Sequence, residues 1–522
     1  MSRKHHATGG TRNGIAAHGV DVARQLLTRG FGALVVVLLV TLVAFLLSYL
    51  SPSDAAVRSF AAAGVSPTES QLAERRAELG LDRPFFDQYA AWLTGVLRGD
   101  LGTSLRTGKP VAEVLGDAAP YTLALALSSI LLALLVSVPL GLACAWRHGG
   151  PLDRVVRAVT CLFNATPPFL VALLLLYVFS VRLRAIDVIS TRGLEGILLP
   201  TVATALPLSA WLTRQVRAAA LGQLSAPYVE GLRARGVSEL RIVAVHGLRN
   251  ILAPLLTLAG TSFGMLLGGS AIVESIFGWP GLGLEAVKAV AHRDYPLIGA
   301  YALVTAVAYL LVNGAVDGAC RRIGPAQVSR PEASGDKGRK MFLVVLSLTC
   351  TFVALLVVAP AFLPGDVGVT DLGESLRAPG EGHPLGTDSV GRDVLMRTVA
   401  GGRESVVLAL GTVALVAAVG VTVGLVGGCL GGPWDYALNK VVTAFQAFPG
   451  FVLAVAVAGT LGPGAANAVL AVGAVYWTQF ARLTRAAAVS FRQSDRMRAA
   501  RMCGAPTASI VFRYLLPEVP AA

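Results

Sequence analysis

The sequence predicts an all-α polytopic membrane protein made of two pseudo-equivalent transmembrane helix bundles, and three observations carry that prediction. Of its 522 residues, 54% are hydrophobic and only 14% are charged, against roughly a quarter charged in an average soluble domain. The apolar residues fall into about ten runs long enough to cross hydrocarbon, where a backbone without water must satisfy its own hydrogen bonds as helix. One polar segment also recurs in both halves, at the same place relative to those runs.

The elements follow in order. A polar tail, 1–30, carries Arg3, Lys4, Arg12, Arg24 and Arg29 ahead of the first apolar run, 32–50. Basic residues before a first span favour a cytoplasmic N-terminus. A cleaved secretory signal fits less well, because the apolar core is long and no small-residue cleavage site follows it at once. The mixed-charge stretch 51–117 reads as an outer segment, with an amphipathic helix over 69–80 and a surface-packed one over 90–97. Further spans are expected at about 121–145, 155–180, 197–213, 256–276 and 298–316, completing a first six-span domain over 31–316. A basic stretch, 317–340, reads as a cytoplasmic linker. The second domain, 341–522, holds four spans, at about 341–362, 405–429, 441–461 and 468–481, and an outer segment at 363–404. The loop after the third span carries Arg182, Arg184 and Arg192 on the side assigned to the outside, but the basic segments 214–249, 317–340 and 482–513 outweigh it.

The net charge of +13 is spread over the tail and the segments on one side of the spans. That pattern suits a membrane protein in contact with lipid headgroups, and nucleic acid is not an expected partner because no polar domain carries a basic patch. The six cysteines, at 144, 161, 320, 350, 429 and 503, avoid the outer segments and show no CxxC spacing, so neither a disulfide framework nor a metal site is expected. GTDSVGRD, at 386–393, lacks the spacing and terminal glutamate of a calcium loop. His292 and His383 are isolated.

The repeat is the most informative feature. YVEGLRARGVSELRIVAVHGLRNILAP at 228–254 and RMRAARMCGAPTASIVFRYLLPEVPAA at 496–522 align Gly236 with Gly504, Ile242 with Ile510 and His246 with Tyr514. Each copy follows an arginine-bearing helix, RQVRAAA at 214–220 or ARLTRAAA at 481–488. Each reads as a short helix, a glycine turn and a second amphipathic helix, suited to a groove on a soluble partner. Simple interfacial helices held by anionic lipid would not need a fixed glycine register twice over.

On these residues the chain resembles a known family. Glu230-Gly231-Leu232, then Gly236, resembles the EAA loop by which ABC import permeases contact their ATPases. The second copy, Arg498-Ala499-Ala500 before Gly504, has arginine where the motif has glutamate. Segments 79–111 and 273–297 are similar to one permease subunit of the dipeptide, oligopeptide and nickel type, and 381–410 to the other, so the two subunits look fused in one chain. The resemblance implies a type I ABC importer fold. It implies coupling segments at 218–253 and 484–522, and two cytoplasmic ABC ATPase subunits that bind ATP and magnesium. It also implies an extracytoplasmic substrate-binding lipoprotein and a bacterial cytoplasmic-membrane location. No GxxxxGK[ST] occurs, so this chain is expected to hold no cofactor and to hydrolyse no nucleotide. That family's second subunit continues through two more spans, so the second domain is expected to be truncated.

Candidate path residues are the polar or helix-breaking Asn164, Pro167, Pro168, Gln446 and Pro449, at matching places in the two halves, with Glu274. Candidate docking residues for the binding protein are Asp100, Gly102, Thr103, Trp279, Pro280, Arg293, Asp294, His383, Asp388 and Arg392. The expected function is uptake of peptides or similar solutes by alternating access, with a nickel chelate as the alternative cargo. An ion-gradient-driven transporter is disfavoured by the paired coupling segment and by the scarcity of intramembrane carboxylates.

Overall fold

A computed structural model describes residues 30–43, 45–46, 49, 56–57, 60, 67–78, 80–184, 194–292, 294–323, 336–358, 368–380, 382–447, 450–462, 464–492, 494, 497 and 502–503. Among these residues the only β-structure is three isolated bridges. The chain divides into two compact units, 1–329 with 430–460 and 330–429 with 461–522.

In the first unit, α1 is Gly30–Val43, α2 Glu69–Glu78, α3 Phe85–Leu97, α4 Val111–Trp146, α5 Pro151–Ala165 and α6 Pro168–Leu176, which runs on as a π turn to Arg182. Then come α7 Leu194–Leu224, α8 Pro227–Ala234, α9 Leu248–Phe277, α10 Leu282–Ala291 and α11 Tyr295–Ile323. Prolines begin α5, α6 and α8, where the missing N–H has no intrahelical partner to lose. Pro167 and Pro168 separate α5 from α6, and the two halves of this broken span meet at 94°.

The arginine-bearing stretch 214–220 continues the α7 span without a break, because Ala218, Ala219 and Ala220 favour helix. α7 packs along α4 and joins its core. Leu142 and Ala145 of α4 meet Val216 and Ala220 of α7, Val243, and Ile251 and Leu255 of α9. At the other end, Val111, Leu115 and Ala118 of α4 pack with Leu282, Ala286 and Ala289 of α10 and with Tyr295 to Tyr301. Leu127, Leu131 and Leu135 form one exposed stripe of α4, a surface suited to hydrocarbon. Just beyond α1, Phe45 and Tyr49 stack with Phe85, Tyr89 and Trp92 around α3, the kind of aromatic group that gathers at a membrane interface. α14, Gly432–Ala447, and α15, Gly450–Leu461, also fall in this unit.

The second unit holds α12 Asp336–Val358, α13 Val394–Leu430 and α16 Ala465–Arg492. Here α13 meets α16 through Gly420, Gly424 and Gly428, one per turn. A β-carbon on Gly424 would lie 2.6 Å from the Ala481 carbonyl and one on Gly428 2.5 Å from Ala488 Cβ. Such small-residue stripes let helix backbones approach in lipid.

Five described helices are long and apolar enough to cross a membrane, or six with the broken pair α5–α6. The ten spans expected from sequence exceed this number. α1 and the 346–355 part of α12 are short as apolar helices, and α15 has only twelve residues.

Candidate functional site: the coupling elbow and the two polar end segments

After α7 the chain turns at Ser225 and Ala226 into α8, which ends in a left-handed Gly236 with φ 74°. Gly236 N–H donates to the Arg233 carbonyl at 2.9 Å and Val237 N–H to the Leu232 carbonyl at 3.1 Å. This double bond pattern closes a helix on a glycine. Nothing lies within 4 Å of a β-carbon built on Gly236, so the glycine is required by its backbone angle and not by space. Arg233 forks across the turn to Glu239, with Nε at 2.6 Å and Nη2 at 3.3 Å.

Glu230, Gly231 and Gly236 are exposed, as are Leu240 and Val245. Val229, Ile242 and Val243 are buried, and Tyr228 Oη accepts a hydrogen bond from Asn250 at 3.0 Å. The elbow is therefore an exposed ridge riveted to the bundle from beneath. Ile242 belongs to the rivet, so its side chain cannot meet a partner, and His246 is half-buried. The corresponding second-half residues Arg498, Ala499, Ala500, Gly504, Ile510 and Tyr514 lie outside the described residues, as do Arg293 and Pro449.

The segment between α3 and α4 is folded against the start of α11. Asp294 is fully buried and caps α11. It accepts from Leu297 N–H at 3.4 Å, Ser104 Oγ at 2.5 Å and Arg106 N–H at 3.3 Å. Arg106 Nη2 reaches Glu285 at 2.5 Å. Asp100, Gly102 and Thr103 remain exposed.

Trp279 is buried, its indole N–H donating to the Tyr121 carbonyl at 3.0 Å, and Pro280 is half-buried. Asp294 and Trp279 thus serve as joints, a correction to their reading as docking residues. A capping carboxylate satisfies free N–H groups at a helix start, and a buried indole N–H needs a partner.

Glu274 is buried as a joint in the same way. Its buried carboxylate accepts from Thr122 Oγ1 at 2.8 Å, Ser270 Oγ at 2.9 Å and Leu284 N–H at 2.9 Å, which binds α4, α9 and α10 together. Gly281 and Gly283 leave room for it, since a β-carbon on either would lie within 3 Å of Glu274 Oε2. The intervening FGWPGLG turn is the sequence signal for this joint, though no spacing rule points to the carboxylate it wraps.

In the second unit, 371–397 forms a polar knot. Asp388 accepts from the N–H groups of Val390 and Arg392, each at 3.0 Å, from Arg392 Nε at 2.9 Å and from Arg397. Partial burial opposes its ionisation, but these donors prevail and hold it far below the usual carboxylate range. His383 has Asp393 at 2.8 Å from Nδ1 and Glu374 at 2.8 Å from Nε2. The hydrogen bonds to Asp393 and then Glu374 raise its pKa. His383, Asp388 and Arg392 are half-buried and already used within the knot.

In the broken spans, Asn164 is exposed, Pro167 and Pro168 form the bend, and Gln446 is half-buried near the end of α14. Among the described residues no group of three His, Cys, Asp or Glu side chains could hold a metal ion.

Two sequence segments, 137–328 and 420–519, match the family described as "Binding-protein-dependent transport system inner membrane component", and 22–126 match its N-terminal companion. The chain belongs to this family. It is a multi-pass membrane component of an ABC importer.

It is 36% identical over 302 residues, 58% of this chain and 97% of the relative, to the "Glutathione transport system permease protein GsiC" of Salmonella choleraesuis (strain SC-B67). It is 33% identical over 315 residues, 59% of this chain and 98% of the relative, to the "Probable peptide ABC transporter permease protein y4tP" of Sinorhizobium fredii (strain NBRC 101917 / NGR234). A solved structure of the MetNI methionine ABC transporter matches at TM-score 0.33 and 22% identity, over 41% of this chain and 97% of that one.

Proposed function

We propose that this permease imports short peptides or peptide-like solutes by alternating access, driven by two separate cytoplasmic ATPase subunits. The observation that carries the reading is the elbow at α8: an exposed helix and glycine turn fixed to the bundle by buried Val229, Ile242 and Val243. A ridge that a partner can grip transmits force only if its base is rigid, and this base enters the same core as α4, α7 and α9.

In this reading the elbow faces the cytoplasm with the N-terminus, and the copy at 484–522 gives a second grip. ATP and magnesium reside on the ATPases. The exposed Asp100, Gly102 and Thr103 and the 371–397 knot face an extracytoplasmic binding protein in the bacterial cytoplasmic membrane. Peptide is favoured as cargo by the names of the relatives, one a glutathione permease and one a probable peptide permease.

The test is uptake into proteoliposomes holding the permease with its ATPases and binding protein. Labelled glutathione or short peptides should enter only with ATP inside the compartment bearing the ATPases. Gly236→Leu should abolish uptake while the permease still inserts. ATP-independent uptake, or full uptake by Gly236→Leu, would overturn the assignment.

A further inference from the structure

We propose that Asp153 and Arg217 form a strut that carries movement of the coupling elbow to the broken span α5–α6, so that both are positioning residues for transport. The inference rests on the ABC-driven reading above. It concerns a pair for which that reading alone has no use.

Asp153 lies in the first turn of α5 and its side chain is 1% exposed. Arg217 lies on α7, seven residues before that helix ends at Leu224, or about 10 Å at 1.5 Å per residue. The guanidinium grips the carboxylate with two bonds, Nε to Oδ1 at 2.6 Å and Nη2 to Oδ2 at 2.9 Å. Gly149 N–H adds a third at 3.0 Å, from the turn between α4 and α5. Arg157, one turn along α5, stands 3.8 Å away.

Much of the rest of α5 is exposed. Only Asp153 and Thr160 of its fifteen residues are buried, whereas Val155, Val159 and Leu162 are exposed. Among the described residues the forked pair is a buried polar tie between this peripheral helix and the helix that leads into the elbow. A paired fork fixes direction as well as distance.

Beside it, α4 comes so close that a β-carbon on Gly141 would lie 2.6 Å from the Val216 side chain and 3.1 Å from Arg217 N. The arginine thus sits where α7 bears on α4. At its far end α5 meets the 94° bend at Pro167 and Pro168. A pull on α7 is passed by the strut to one arm of that bend, and the bend converts it into a swing of α6.

Packing alone gives no reason for a charge pair here. Buried ion pairs can often be replaced by apolar residues without loss of stability. The sequence nevertheless repeats the same chemistry in its second half. Gly431-Gly432-Pro433-Trp434-Asp435 matches Gly149-Gly150-Pro151-Leu152-Asp153, and Arg485-Ala486-Ala487-Ala488 matches Arg217-Ala218-Ala219-Ala220.

The experiment measures solute imported per ATP hydrolysed, per assembled complex, in proteoliposomes with ATPases and binding protein. Labelled glutathione is the probe. Asp153→Leu combined with Arg217→Met removes the charges without leaving one buried and unpaired. This double variant is expected to hydrolyse ATP at the wild-type rate while importing about five-fold less per ATP, the lower end of usual inter-site coupling.

Arg217→Lys keeps the charge but loses the fork, and should fall between the two. A double variant with wild-type import per ATP would show the pair to be merely structural and overturn the proposal. If the double variant does not assemble, Arg217→Lys decides: an unchanged ratio overturns the strut and a lowered ratio supports it. Absence of ATP-driven glutathione uptake in the wild-type complex would instead remove the reading on which the strut rests.

Discussion

The two halves of the chain solve the same packing problem by different means. In the first unit α4 crosses α7 through one glycine, Gly141, facing the Val216 side chain and the Arg217 backbone N, with a forked ion pair tying the neighbouring helix in place. In the second unit α13 crosses α16 through three glycines, and its close neighbours include backbone carbonyls of α16. The end segments differ in the opposite sense. The segment leading into α4 closes over an apolar core of Val111, Leu115, Leu282 and Tyr301, whereas 371–397 is held by charges and backbone hydrogen bonds. Side chains can shift by rotamer changes and charged groups can titrate, but backbone in contact with backbone has nowhere to go. The halves should therefore respond unequally to equivalent insults.

The largest contrast should come from the crossings. Gly424→Leu is expected to cost about 3 kcal/mol, the upper end for overpacking, because the Ala481 carbonyl lies 2.6 Å from the new β-carbon. Gly141→Leu should cost nearer ~2 kcal/mol by the same rule, since the nearest atom to its new β-carbon is a Val216 methyl that a rotamer change can move, although Val216 Cβ at 2.7 Å and Arg217 N at 3.1 Å cannot. Thermal unfolding in detergent, followed by size-exclusion fluorescence, checks the order, and equal losses would erase the distinction.

Next in size, Asp294→Ala should destabilise the first end segment by about 1–2 kcal/mol through loss of a helix cap and of the partner for Ser104. The expected signature is faster proteolysis between α3 and α4, with no change in 371–397.

At the elbow, Gly236→Ala should cost about 1 kcal/mol, because its φ of 74° is a conformation that a β-carbon disfavours. Gly231→Ala, exposed and helical, should be nearly neutral. A thermal shift that separates the two locates the requirement in the turn.

The smallest effect is a pH dependence confined to the second end segment. The pKa of His383 is raised in the folded state by Asp393 and Glu374, so its contribution is fully present below the unfolded value of about 6.5. It is lost as pH climbs through the raised folded value. Protease sensitivity of 371–397 should therefore increase from neutral to alkaline pH, and His383→Gln should flatten that trend. A trend of opposite sign would show that the histidine is not the titrating group.

Much of this could be read from residue order. Apolar runs, proline punctuation at Pro151, Pro168 and Pro227, and the Gly236 turn are local features, because helix starts and stops depend on backbone groups a few residues apart. The elbow at Gly236 was legible for the same reason. The sequence marks Glu274, Asp294 and Trp279 as unusual, and the structure buries all three among hydrogen-bond partners. Sequence reports that a polar group stands near a membrane span and is silent on what lies opposite it.

The sequence by itself determined the class of protein, the helical character of its elements and the recurrence of the 228–254 segment at 496–522. Only the tertiary structure decided which polar residues face outward and which are consumed as joints. The reason is that hydrogen-bond partners such as Thr122 for Glu274, Ser104 for Asp294 and Arg217 for Asp153 lie 64 to 190 residues away along the chain. Nothing in local spacing encodes a meeting across that distance; it exists only once the helices have packed.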